Sequence, residues 1–125
     1  MTFYCNFIAG PDGPGVRELK KAERKGRRID WKKGLKGLKD DRLSGYVILL
    51  LTDSPEQLEI YSMREYAFRR LYQRDGLIVG SGKTVDACVD RIYELADQTY
   101  QKTGGLEIRK EILRAQEERK KLWQS

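Results

Sequence analysis

Histidine is absent from the 125 residues, and only two cysteines, Cys5 and Cys88, are present. Without imidazole there is no Ser-His-Asp or Cys-His catalysis, no histidine metal ligand and no side chain that ordinarily titrates near neutrality. Two thiols are too few for a disulfide framework or, unaided, for a structural zinc site, so both are expected as buried, reduced side chains acting as small hydrophobes. Long apolar runs are missing as well. The longest, Tyr46 to Leu51, falls far short of the roughly 18 residues that span a bilayer. The N-terminus has no basic start, apolar stretch and cleavage site in succession. A soluble cytoplasmic chain without membrane contact is therefore expected, and no cofactor, because no set of ligating residue types has the spacing that would hold one.

What the chain does have is enough apolar residue for one core and a large share of charge. At 39% hydrophobic and 35% charged it should fold as a single domain. The net charge of +6 is unevenly placed. Between Arg17 and Arg42, 12 lysines and arginines face 5 acids, a surplus of +7, so the rest of the chain carries −1. A local surplus of this kind attracts a polyanion such as nucleic acid, or the acidic face of a protein partner.

The order of elements follows from patterning. Thr2 to Ile8 is aromatic and β-prone, and it stops at a loop over 9–15 with three glycines and two prolines. Val16, Leu19 and Ala22 then mark a basic helix, which Gly26, Gly34 and Gly37 are expected to interrupt, leaving residues 17–44 as a basic and partly mobile segment. Gly45 to Asp53 is apolar without alternation, the pattern of a strand covered on both faces. Ser54-Pro55-Glu56-Gln57 supplies a capping hydroxyl, a proline for the first turn and a capping-box glutamine, which predicts a helix to about Arg74 with Leu58, Tyr61, Phe68, Leu71 and Tyr72 inward. Leu77 to Val79 reads as a further strand. Val85, Val89, Ile92, Ala96 and Tyr100 give the inner stripe of a helix from Thr84 that Gly104 and Gly105 end, and residues 106–125 form a charged helix with a thin stripe of Ile108, Ile112, Ala115 and Leu122.

The fold class this predicts is α/β, a small three-stranded sheet with a βαβ unit and flanking helices, the strands at 45–53 and 77–79 being parallel. The alternative is an α+β fold in which the N-terminal strand pairs antiparallel. In a parallel sheet the loops 10–15, 52–54 and 80–84 would gather at one edge, where ligands commonly bind.

Two motifs invite catalytic readings. Gly80-Ser81-Gly82-Lys83-Thr84 ends like a phosphate-binding loop, but a Walker motif needs glycine at the position of Leu77. Ser81, Gly82, Lys83 and Thr84 remain a candidate anion site at a helix start. Pro11-Asp12 with Glu18-Leu19-Lys20 superficially resembles a magnesium nuclease signature, yet the Glu-x-Lys lies in the most helix-like stretch rather than on a strand.

The basic segment gives the main binding expectation. Arg24, Lys25, Arg27, Arg28, Lys32, Lys33, Lys36 and Lys39 surround Trp31, and cations beside a stacking aromatic are a recurring means of holding nucleic acid. The expected function is a non-enzymatic accessory protein that binds nucleic acid, or a complex that handles it, through these residues. The alternative is a regulator or inhibitor docking on an acidic partner, with self-association through 106–125; phosphate or nucleotide binding at the 80–84 turn stands third. The aromatic residues Tyr61, Tyr66, Phe68 and Tyr72 are expected in the core rather than on a recognition face.

Overall fold

A computed structural model describes residues 1–9, 12–28 and 43–124. Strand β1 (Thr2–Ala9) is followed by α1 (Val16–Arg28), β2 (Tyr46–Leu51), β3 (Glu59–Ser62), α2 (Met63–Phe68), a 3-10 turn (Leu71–Gln73), β4 (Gly76–Gly82), α3 (Val85–Thr103) and α4 (Ile108–Gln124). The four strands form one sheet in the order β1-β4-β2-β3. The mixed α/β class expected from the sequence holds, with one strand more than the patterning gave.

β2 shows why its sequence does not alternate. Val47, Leu49 and Leu51 enter one core layer, with Leu19 and Ala22 of α1 and Tyr66 and Ala67 of α2. Ile48 and Leu50 enter the other, with Cys88 and Leu95 of α3 and Ile108 and Ile112 of α4. Helices thus cover both faces, α1 and α2 on one and α3 and α4 on the other, and an interior strand between two layers must be apolar throughout.

The stretch after β2 departs from expectation. Ser54 does not start a helix; its hydroxyl accepts from the Glu56 N–H at 3.3 Å in a local turn. Glu59–Ser62 instead pairs antiparallel with β2, Tyr46 opposite Ser62 and Leu49 opposite Glu59. The helix begins only at Met63, where Ser62 caps it by accepting from the Glu65 N–H at 3.1 Å. β2 also pairs antiparallel with β4 (Tyr46 opposite Gly82, Leu51 opposite Gly76), correcting the expected parallel pair. Two reversals make β3 and β4 parallel, so the βαβ unit is β3-α2-β4 and starts one strand later than predicted. β1 runs parallel to β4, against the alternative of an antiparallel N-terminal strand.

Three smaller differences have physical causes. Gly26 lies inside α1 rather than ending it, because a Cβ there would sit 2.2 Å from the Ala67 carbonyl oxygen: the glycine is where α1 and α2 touch. The inner face of α3 carries Cys88, Leu95 and Thr99, while the predicted Val85 and Tyr100 are exposed. Cys88 is buried as expected, and burial pushes its thiol up to about 11. Cys5 is exposed, on the outer edge strand. There Gln116 of α4 takes the place of a neighbouring strand, accepting from the Cys5 N–H at 2.8 Å and donating to the Phe3 carbonyl at 3.3 Å, which blunts an otherwise open edge. Ile108 and Ile112 of the C-terminal helix are core, leaving Leu122 and Trp123 of its predicted self-association surface exposed. No described helix is long and apolar enough to cross a membrane.

Candidate functional site

The register of the sheet decides which loops can meet. Ala9 lies beside Ser81, so the carboxyl ends of β1 and β4 share an edge, and the start of β2 and the end of β3 lie there too. Leu51 pairs with Gly76 at the far end, so the loop 52–54 cannot join loops 10–15 and 80–84. This corrects the expected three-loop cluster to two loops plus the lead-in to β2 at 43–45.

α1 starts at this edge and runs from it over one face of the sheet, and its sequence sorts charge by helical position. Leu19, Ala22 and Gly26 are buried. Arg17, Lys20, Lys21, Arg24 and Arg27 recur at three- and four-residue steps on the opposite side and are exposed, with Lys25 half-buried. The two acids of the helix flank this face, Glu18 within electrostatic reach of Lys21 and Arg17. Glu18 accepts from the Gly15 N–H at 3.0 Å, and the backbone N–H groups of Glu18 and Gly15 hold its carboxyl below the usual range. Glu23 accepts from the Tyr66 hydroxyl at 2.6 Å, and burial together with that carboxylate raises Tyr66 far above an ordinary phenol. Among the described residues Arg17, Lys20, Lys21, Arg24 and Arg27 form no ion pair; Arg27 instead rests over the Tyr72 ring, 5.7 Å from its centre.

A groove of about 880 Å³ opens beside the helix. It is lined by Lys21, Arg24 and Lys25 of α1, by Lys83 of the β4-α3 turn, and by the acids Asp12 and Glu18. Its floor is held firmly. Ser81, fully buried, donates its hydroxyl to the Pro14 carbonyl at 2.5 Å, and a Cβ on Gly13 would stand 3.1 Å from the Gly82 Cα, so the loop entering α1 is pressed onto the end of β4.

The predicted residues fall into three groups. Arg24, Lys25 and Arg27 lie on α1 as described, and Arg28 closes that helix. Trp31, Lys32, Lys33, Lys36 and Lys39 lie outside the described residues. Of the anion-site set, Ser81 and Gly82 are buried, and Thr84 caps α3 by accepting from the Ala87 N–H at 3.1 Å, so Lys83 alone faces the groove. The two sites read separately from the sequence, the basic segment and the 80–84 turn, therefore meet at one place through Lys83. Arg17, Lys20 and Lys21 fall outside the set read from the sequence, although their spacing relative to Arg24 and Arg27 already placed them on one helical side.

Among the described residues no group of three or more acidic or thiol side chains could hold a metal ion; Asp12 and Glu18 are the two carboxylates that line the groove. What the arrangement offers is a row of fixed, solvated cations about 15 Å long from Arg17 to Arg27, at the usual helical rise, suited to an extended anion. Compared with family models, with curated proteins and with solved structures, the chain matches none.

Proposed function

We propose that the protein binds nucleic acid through the outer face of α1, with Lys83 adding a cation across the groove and Trp31 as the stacking residue. The observation that carries this reading is the sorting of charge on α1: five exposed cations on one side, without an ion pair among the described residues, and both acids of the helix tied to internal donors. A phosphate backbone gains from such a row mainly by releasing its counterions, so affinity must fall as salt rises. The function proposed is binding, and the exposed row of cations on α1 is what supports it.

The test is fluorescence anisotropy of labelled single- and double-stranded oligonucleotides over a range of salt. Each phosphate contact contributes about 0.9 to the slope of log affinity against log salt on duplex. K20E/R24E should flatten that slope by about two contacts' worth and weaken all sequences alike. Trp31→Ala should weaken the single strand by about 1–3 kcal/mol and the duplex much less. Affinity that ignores salt, or that survives K20E/R24E, removes the proposal and leaves the acidic protein partner as the reading of this face.

A further inference from the structure

The outer side of α3 carries a second stripe whose chemistry is the counterpart of α1. Asp86, Asp90, Tyr93, Asp97 and Tyr100 follow one another at steps of four, three, four and three residues and are all exposed, Tyr93 at 69% and Tyr100 at 56%. Both tyrosines stand open on a helix that serves the core through Cys88, Leu95 and Thr99. Asp86 and Asp90 have no hydrogen bond or ion pair among the described residues, and Asp97 accepts from Gln101 at 3.2 Å.

We propose that α3 of one copy docks along α1 of another, aspartates against lysines and arginines, with the exposed tyrosines receiving the guanidinium groups of Arg17, Arg24 or Arg27. Three observations converge. The charges are opposite in sign. The charged spans match in length, since Asp86 to Asp97 covers about 17 Å and Arg17 to Arg27 about 15 Å at the helical rise. The aromatic faces are of the kind that arginine covers, as Arg27 and Arg69 already do within the chain over Tyr72 and Tyr61. The two helices cannot meet within one chain. α1 packs against Val47 and Leu49 and α3 against Ile48 and Leu50, with the whole sheet between them. The contact therefore joins unlike surfaces of two copies, and each added copy still presents one free α1 and one free α3, so association continues beyond a dimer. It uses α1, so a polyanion on that helix would compete with it, but it requires no nucleic acid to exist.

Sedimentation velocity on the full chain tests the inference. In about 10 mM salt, where charges act over about 30 Å, mean mass should climb with protein concentration, and in about 1 M salt, where the reach is about 3 Å, it should return to the monomer. K20E/R24E and D90K/D97K each change only exposed side chains and should each lower association about tenfold or more. These four changes together with R17E and D86K keep the net charge of the original and leave −1 on the α1 stripe against +3 on the α3 stripe, reversing the sign of both, so association should return. This pattern supports the contact whether or not an oligonucleotide binds, which separates it from the function proposed above. A monomer at every concentration in low salt overturns it, as does a six-fold variant that stays monomeric while melting like the original chain.

Discussion

Gly26 sits where opposing effects on one residue can be weighed. In an exposed helix, alanine in place of glycine stabilises by about 1 kcal/mol. Here the added Cβ would stand 2.2 Å from the Ala67 carbonyl oxygen and 2.9 Å from the Tyr72 ring, and one of those neighbours is backbone that cannot swing aside. Overpacking of a closed contact costs about 1–3 kcal/mol or more, so the clash wins and Gly26→Ala should lower the melting temperature. A thermal melt showing G26A at or above the original would mean that α1 and α2 do not touch as described. Arg70 is the opposite case. It is exposed and the one described non-glycine residue at positive φ, +53°, between α2 and the 3-10 turn, a conformation that glycine adopts without the steric cost an L side chain carries.

Among elements, the start of α4 is the most instructive. Gln57 accepts from the Ile108 N–H at 2.7 Å, and the Arg109 guanidinium donates to the carbonyls of Leu51, Thr52 and Glu56 at 2.9–3.1 Å. Gln57 is a capping residue, as its type suggests, but for a helix 51 positions away. Gln57→Ala should therefore cost about 1 kcal/mol, like the loss of any good cap. Arg109→Ala should cost more, about 2 kcal/mol, because three carbonyls, that of Leu51 part-buried, lose a charged donor. Ser54→Ala should change stability by less than about 0.5 kcal/mol. Chemical denaturation of the three variants checks the order; a large effect at Ser54 with none at Gln57 would restore the helix start that the sequence suggested. The same region shows where legibility ended. β1, β2, β4 and the capped helix α3 were readable because each is specified by its own residues, through apolar runs, Thr84 and the Gly104 cap at φ +76°. β3 was not, because Glu59-Ile60-Tyr61-Ser62 fits the inner side of a helix equally well and only pairing with β2 makes it a strand. The capping box Ser62-Met63-Arg64-Glu65 was present in the sequence but stood in the shadow of the stronger signal at Ser54. On α3 the predicted stripe held at its centre, where Ile92 and Ala96 pack on the core, and failed at its ends, Val85 and Tyr100, while the buried Thr99 does not look apolar. At the site, Lys83 was legible as a cation and α1 as basic, whereas their meeting depends on the register of β1 with β4, which no local pattern reports.

For the whole molecule, the covering of the second face depends on a charged tie between its two helices. Glu111 of α4 is bound by Arg114, and by Lys102 of α3 at 3.0 Å, and these partners, Arg114 foremost, hold its carboxyl down at about 2. An unfolded glutamate titrates near 4.3, so the tie contributes fully above about pH 5 and is lost as pH falls toward 2. Between those limits the original chain should lose stability with falling pH more steeply than Glu111→Gln, as acid titrations of both followed by circular dichroism would show; parallel curves would mean that the tie contributes nothing. On the other face α1 is pinned near its start by the Ser81 hydroxyl on Pro14, along its length by Glu23 on the Tyr66 hydroxyl and near its end by the bare backbone at Gly26. An incoming anion therefore meets cations whose main chain was set in place during folding. Little ordering of that helix is left to be done on contact, and capture there should be fast and limited by diffusion rather than by rearrangement.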